Sequence, residues 1–142
     1  LKLTRESREA SDKMGHALLS AIQNIFEPIN LKSFQNAIQT KRCSGHQSVI
    51  YGVAAGDMRL PEKETVTSFL QASFSNLASV ASRIIPLGQI ETQKIILEAW
   101  PLILEATEIS QKTKMEEMGT SMAALDVASM KHEHLHTRLC MS

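Results

Sequence analysis

The chain has 142 residues, of which 43% are hydrophobic and 21% charged, so it has the size and composition of one ordinary globular domain. Fifteen basic residues balance fifteen acidic ones, which leaves no net field to favour nucleic acid or an anionic membrane surface as a partner. The two cysteines, Cys43 and Cys140, are far apart, which favours reduced thiols in a cytoplasmic protein over a disulfide framework. Leu1 begins a stretch typical of a helix interior, so we expect an amino-terminal part of a longer protein to precede it.

The spacing of apolar residues and the positions of proline and glycine predict an all-α fold, a compact bundle of six to seven helices followed by an extended carboxy-terminal tail. No segment shows the alternation of apolar and polar residues that is typical of a strand in a hairpin. We expect a helical domain over residues 1–130 and a tail over residues 131–142. The predicted helices cover residues 4–25, 31–39, 46–58, 61–84, 89–110 and 122–130, and residues 112–121 form a short helix or a loop.

Two of these helices have features that predict how they pack. In the third, Gly52 and Gly56 each cost about 1 kcal/mol relative to alanine, so we expect them to allow the close approach of another backbone. In the first, apolar residues at spacings of three and four form one stripe that should face the core: Met14, Leu18, Ala21, Ile22 and Ile25.

Residues 65–82 of the fourth helix carry no charged side chain, and this run is nearly long enough to span a bilayer. It contains nine serine, threonine, asparagine or glutamine residues, however, which is too many for lipid. A helix that is neither charged nor strongly apolar is usually buried in a bundle or an interface. We therefore predict a central helix and no membrane span.

Proline and glycine predict two breaks after that helix. Pro86 and Gly88 should end it, because proline lacks a backbone donor and glycine permits unusual dihedral angles. Pro101 lies inside the fifth predicted helix and should kink or divide it near Ala99.

The tail holds the most distinctive chemistry in the sequence. Three of the five histidines, His132, His134 and His136, alternate there, and Cys140 follows them. On an extended chain the three histidines share one face, whereas on a helix only His132 and His136 do. Imidazole and thiolate suit nickel, zinc or copper, so these four residues form a candidate metal site. A solvated tail that happens to contain histidines explains the pattern equally well.

Cys43 and His46 form a second candidate site, because a thiol beside a histidine can act as a nucleophile pair. No acid that would orient this histidine can be identified in the sequence. Nothing assembles a nucleophile, a base and an oxyanion site either, so the sequence predicts that the chain is not an enzyme.

Three segments together resemble the UreF family of urease accessory proteins. The first has Arg-Glu-Ser at residues 5–7 and Met-Gly at residues 14–15. The second is the turn at residues 83–89, with arginine, proline, glycine and glutamine in order, and the third covers residues 125–133 and 137–142. The resemblance extends over essentially the whole chain and corresponds to the carboxy-terminal two-thirds of the family pattern. The amino-terminal motif of the family is missing from this sequence.

The resemblance implies an all-helical, often dimeric scaffold protein that is not itself an enzyme. Such a protein binds a UreD/UreH-type accessory protein, recruits the GTPase UreG and regulates its GTP turnover. The resulting complex docks on apo-urease and delivers nickel. Nickel is therefore expected in transit as cargo, and no tightly bound cofactor is expected.

Carried over by position, the resemblance assigns partner-binding roles to the tail and to the turn before the fifth helix. His132 and Glu133 match a His-Glu pair of the family, and Arg138 matches its arginine before the terminus. His134 and His136 are not part of the pattern. The matching residues of the turn are Arg83, Pro86, Gly88 and Gln89.

The chemistry of the tail also suits a binding arm. Arg138 can form a planar, bidentate contact with a carboxylate, and Leu139 and Met141 can serve as apolar anchors. A docking arm is therefore the leading interpretation. The alternative is a metal carrier that binds nickel directly through the four candidate ligands: His132, His134, His136 and Cys140.

Overall fold

In a computed structural model of the protein, the described residues are 4–25, 29–117, 119, 123–132 and 134. They form seven α-helices, one 3-10 turn at Met115–Glu117 and no strand, which confirms the predicted all-α fold. No helix among these residues has both the length and the apolar character needed to cross a membrane. The helices are α1 (Arg5–Ile25), α2 (Ile29–Gln39), α3 (Gln47–Asp57), α4 (Glu62–Ile84), α5 (Gln89–Glu98), α6 (Trp100–Lys112) and α7 (Ala123–His132).

The chain divides into two compact units, Leu1–Met58 with Met115–Ser142, and Arg59–Lys114. In the first unit, α3 packs against both α1 and α2. Apolar side chains from all three helices form its core, and half-buried residues such as Phe34 surround them. The core residues are Leu19, Ile22, Leu31, Ile50 and Ala54.

The buried face of α1 differs from the predicted apolar stripe. Of the five predicted residues only Ile22 is buried, while Met14 is 43% exposed and Ile25 is 76% exposed. The residues that α1 does bury are Ser11, Gly15, Leu19 and Ile22. Gly15 lies where the backbone of another segment passes close to this side of the helix.

That close approach occurs at Gly15. A Cβ atom there would overlap the carbonyl oxygen of Gly45 and would lie 2.9 Å from the backbone nitrogen of Gln47. At Gly52 and Gly56, in contrast, an added Cβ would meet no atom within 4 Å. The prediction of a close backbone contact at these two glycines was wrong, and Gly15 is the residue that makes such a contact.

Asp57 at the end of α3 caps the beginning of α2. Its carboxylate accepts hydrogen bonds from the backbone nitrogens of Asn30 and Leu31, at 3.2 and 3.0 Å, and from the Asn30 side chain at 2.6 Å. The first amides of a helix have no partner within the helix, so this carboxylate satisfies two of them. Desolvation acts to raise the pKa of Asp57, but the hydrogen bonds from Leu31 and Asn30 outweigh it and hold the pKa below its ordinary value of 3.8.

In the second unit, α4 packs against α5 and α6. The hydroxyl groups of Thr67 and Thr107 form a hydrogen bond of 3.1 Å. Thr107 is fully buried, and its hydroxyl group also donates to the carbonyl oxygen of Ile103 at 2.9 Å. Of the 23 residues of α4 only Ala78 is buried. α4 is central in that it contacts both other helices of its unit, but most of its residues are not buried, contrary to the burial that we expected of an uncharged helix.

The predicted breaks are confirmed, with one change in their cause. The fifth predicted helix is divided at Ala99, and Pro101 lies in the first turn of α6, where its missing N–H is tolerated. Between α4 and α5, Gly88 has φ −69° and ψ 162°, an extended conformation open to any residue. Gly88 therefore does not supply the unusual dihedral angles that we expected of it.

Candidate functional site

The last turn of α7 lies on the first turn of α1. The imidazole Nδ1 of His132 is 3.1 Å from Oε2 of Glu6, and the two side chains are 37% and 24% exposed. A carboxylate oxygen accepts from an imidazole N–H, so this contact is a hydrogen bond when the ring carries a proton on Nδ1. The two residues of this pair are 126 positions apart in the sequence, and they join α1 to α7.

A second contact lies beside this pair. Ser129 donates a hydrogen bond to the hydroxyl oxygen of Thr4 at 3.1 Å, and Thr4 is only 3% exposed. The same oxygen accepts from the backbone nitrogen of Ser7 at 3.3 Å and donates to its hydroxyl at 2.7 Å. The hydroxyl group of Thr4 therefore both caps α1 and accepts a hydrogen bond from α7. We call Thr4, Glu6, Ser129 and His132 the α1–α7 junction.

The local sequence explains why these four side chains meet. Ser129 and His132 are three residues apart on α7 and so share one face of it. Glu6 lies in the first turn of α1, where a negative charge is favoured, and His132 lies in the last turn of α7, where a positive charge is favoured. The helix dipoles therefore stabilise the two ends that the junction brings together.

The remaining residues of the predicted tail site are placed only in part. The backbone nitrogen of His134 donates to the carbonyl oxygen of Lys131 at 3.1 Å, and its side chain is exposed. Across the part of the chain that the structure describes, no three histidine, cysteine or acidic side chains could hold a metal ion together. The other predicted residues lie outside the described residues: Glu133, His136, Arg138, Leu139, Cys140 and Met141.

The second predicted group, in the other unit, is an exposed turn. Arg83 is the basic residue in the last turn of α4, where it complements the helix dipole. Gly88 is the N-cap of α5, and Gln89 begins that helix beside Ile90 and Leu97, which are 69% and 74% exposed. All four residues of the group are exposed: Arg83, Pro86, Gly88 and Gln89.

Cys43 and His46 lie in the segment between α2 and α3. Cys43 is half-buried and lines a pocket of about 570 Å³ with Asp12 and His16, and His46 is not part of that lining. His46 is the N-cap of α3, and its Nδ1 is buried with no hydrogen-bond partner among the described residues. Asp12 accepts from the backbone nitrogen of Gly45 at 2.7 Å, so it holds the loop in place.

Two features were not predicted from the sequence. Glu6 belongs to a segment that carried the family resemblance, but nothing in its own surroundings indicated a contact with His132. The other feature is an apolar groove of about 360 Å³ between α4 and α6. The spacing of Leu70, Phe74 and Leu77 predicts an apolar face on α4, but it does not predict that part of this face borders an open groove.

These observations define a class: an all-α protein in which the described candidate residues lie at helix ends and turns, where binding residues are common. Comparisons with known proteins identify the family. The UreF family model matches residues 1–100. The chain is 33% identical over 141 residues to the urease accessory protein UreF of Actinobacillus pleuropneumoniae serotype 5b (strain L20). The chain belongs to the UreF family.

Other relatives agree with this assignment. The chain is 31% identical over 140 residues to the urease accessory protein UreF of Paenarthrobacter aurescens (strain TC1). It is 32% identical over 141 residues to that of Haemophilus influenzae (strain ATCC 51907 / DSM 11121 / KW20 / Rd). In all three cases the match covers 99% of this chain but only 62%, 63% and 60% of the relative, so the chain spans about three-fifths of their length.

Proposed function

We propose that the chain acts as a non-enzymatic accessory protein, or chaperone, in urease maturation. In this proposal it works in the cytoplasm as a scaffold, which binds a UreD/UreH-type protein, recruits the GTPase UreG and regulates its GTP turnover. The assembly docks on apo-urease, and nickel passes through it as cargo. Membership of the UreF family and the printed names of the relatives support this proposal. A homodimer is part of the same proposal.

The contact between His132 and Glu6 is the observation that carries the proposal. A flexible arm binds a partner only if its contacts outweigh the entropy lost when it becomes ordered. His132 is tied to α1 at 3.1 Å, so the arm is anchored where it begins. Less freedom is then left to lose when a partner engages the residues that follow. We propose that these are Glu133, Arg138, Leu139 and Met141, and that the exposed turn of Arg83, Pro86, Gly88 and Gln89 forms a second contact.

Co-purification tests this function. Affinity-tagged chain is expressed with a UreD/UreH-type protein and UreG, and the retained partners are measured. Arg138→Ala should reduce their recovery while leaving the helical circular dichroism unchanged, because the substitution removes a bidentate donor from the arm. Arg42→Ala, a change of the same kind at an exposed loop residue, is the matched control. Undiminished recovery of both partners by Arg138→Ala would contradict the docking role of the arm.

A direct metal carrier is the second candidate, and the same contact favours it. Histidines that bind metals commonly donate their other ring N–H to a carboxylate, which orients the ring, and Glu6 does this for Nδ1 of His132. We propose Nε2 of His132 as one nickel ligand, with His134, His136 and Cys140 as the others. Calorimetry with nickel on the wild type and on the triple alanine variant of the three histidines separates the two functions. Equal heats from the two proteins would eliminate the carrier.

A further inference from the structure

The first unit contains a pocket at the loop that joins α2 to α3. Its volume of about 570 Å³ lies within the range of roughly 300–1,000 Å³ that is typical of small-molecule sites. Two helices and the loop form its walls, and the side chains that give it chemical character are ionisable apart from one apolar residue on α2. These residues are Asp12, His16, Ile38, Lys41, Arg42 and Cys43.

The loop that forms one wall is fixed by hydrogen bonds at both ends. The backbone nitrogens of Lys41 and Arg42 donate to carbonyl oxygens in the last turn of α2, each at 2.9 Å. They close the end of that helix, with Lys41 in the left-handed region at φ 56°. Further along the loop, the backbone nitrogen of Gly45 donates to Oδ1 of Asp12 on α1 at 2.7 Å. The pocket is therefore formed before a ligand enters it, which lowers the entropy cost of binding.

The charges of the lining favour an anionic ligand. Lys41 and Arg42 are exposed, and neither forms an ion pair with a described residue. Asp12 is the one acid among the described residues of the lining. Its carboxylate is already engaged, because it accepts from Gly45 and lies 3.5 Å from Nε2 of His16. Two free cations therefore face one carboxylate that has partners of its own.

The thiol of Cys43 is an independent feature of the same pocket. It is free and half-buried, and it lies in the pocket wall next to the two cations in the sequence. Reactive cysteines are typically partly exposed and lie in electropositive surroundings, whereas fully buried ones are inert. The cations therefore select the charge of a ligand, and the thiol selects its reactive group.

We propose that this pocket takes a small anionic disulfide of the glutathione type and that Cys43 forms a mixed disulfide with it. Glutathione disulfide carries more carboxylates than ammonium groups, and its carboxylates bind to Lys41 and Arg42. The thiolate of Cys43, whose proton has gone to solvent, attacks one sulfur atom of the bound disulfide. The new S–S bond forms as the old one breaks, so Cys43 is oxidised. The second glutathione leaves as a thiolate and takes up a proton. The proposal does not depend on the role in urease maturation.

Two disulfides of opposite charge test the choice of ligand. The chain has two cysteines, so Cys140→Ser leaves Cys43 as the one thiol of the full-length protein. Mass spectrometry measures the rate of mixed-disulfide formation with glutathione disulfide and with cystamine, which carries ammonium groups and no carboxylate. Both rates are also measured in urea, where Lys41 and Arg42 remain sequence neighbours of Cys43 but the pocket is lost.

The ratio of the glutathione disulfide rate to the cystamine rate should be at least about tenfold higher in the folded chain than in urea. This comparison removes the intrinsic difference in reactivity between the two reagents. An equal ratio in the two states, or no modification of the folded chain by glutathione disulfide, would overturn the proposal.

Charge variants in the same Cys140→Ser background locate the site. Lys41→Glu should lower the glutathione disulfide rate about fivefold or more and raise the cystamine rate. Lys63→Glu makes the same change in net charge at an exposed residue that does not line the pocket, and it should leave both rates unchanged. Lys41→Asn removes the charge with a residue that suits the left-handed backbone, and it should lower the glutathione disulfide rate about threefold even if Lys41→Glu fails to fold. Equal effects of the variants at Lys41 and Lys63 would overturn the assignment of the pocket.

Discussion

Glu6 and His132 are 126 residues apart in the sequence, yet their side chains meet at 3.1 Å and join the first helix to the last. Beside them, the hydroxyl group of Ser129 donates a hydrogen bond to the hydroxyl oxygen of Thr4 at 3.1 Å. The junction therefore consists of one pair that can carry charge and one pair of hydroxyl groups. Its position at the beginning of the predicted docking arm makes it the first place to test.

Glu6→Gln should loosen α7 without unfolding the chain. The pair is partly exposed, so its loss is expected to cost about 1 kcal/mol or less. Amide hydrogen exchange in α7 should accelerate several-fold, and His132→Ala should have a similar effect that is not additive with Glu6→Gln. Glu9→Gln, which removes an exposed partner of Arg5, is the control and should leave α7 unchanged. Unaltered exchange in α7 of Glu6→Gln would show that the pair does not hold the helix.

Gly15→Ala should destabilise the chain by about 2 kcal/mol or more, because its Cβ would overlap the backbone of Gly45 and backbone cannot move aside cheaply. Gly52→Ala is the matched comparison, since its Cβ meets no atom within 4 Å. That substitution should stabilise α3 by about 0.5–1 kcal/mol through helix propensity. Urea denaturation of both variants gives the two free energies of unfolding, and the prediction fails if they shift in the same direction.

Asp57 should make the stability of the chain sensitive to acid. The folded state lowers the pKa of this carboxyl group below its ordinary value of 3.8, so the unfolded chain binds the proton more readily. Its stabilising contribution is fully present above the unfolded value and is lost as the pH falls towards the lower, folded value. Asp57→Asn should therefore be less stable than the wild type at pH 6 and should lose less stability between about pH 5 and pH 2. Parallel pH profiles for the two proteins would contradict this account of the α2 cap.

Gly88→Ala should change the free energy of unfolding by less than about 1 kcal/mol. Gly88 has an ordinary φ of −69°, and its added Cβ would meet only the carboxylate end of Glu91, which can rotate away. Thermal denaturation measures the effect. A loss comparable to that of Gly15→Ala would show that the turn depends on glycine after all.

Much of the secondary structure could be predicted because its causes are local. Pro101 divides α5 from α6 through its own missing N–H and ring, and no distant residue is needed for that effect. The end of α4 before Pro86 is equally local. The end of the last predicted helix was placed two residues too early, because α7 ends at His132 and not at Met130. Helix ends depend on weak capping contacts, which neighbouring segments easily shift.

Packing faces could not be predicted as well. Ile25 belongs to a regular apolar stripe but is 76% exposed, whereas the face that α1 buries consists of Ser11, Gly15, Leu19 and Ile22. The two glycines of α3 led us to expect a close backbone contact there. Which glycine makes such a contact depends on the segment that packs against it, and the sequence does not show this. For the candidate site, His132 was identified from the sequence, whereas its partner Glu6 was not.

By itself the sequence determined the helical class, the places where proline breaks the helices, and membership of the UreF family. These properties arise from backbone geometry and residue order, which each segment carries locally. Only the tertiary structure decided that Glu6 holds His132, that Gly15 receives the backbone of Gly45, and that Leu77 and Leu102 border an open groove. Such contacts join residues that are far apart in the chain, and their formation depends on the packing of whole helices.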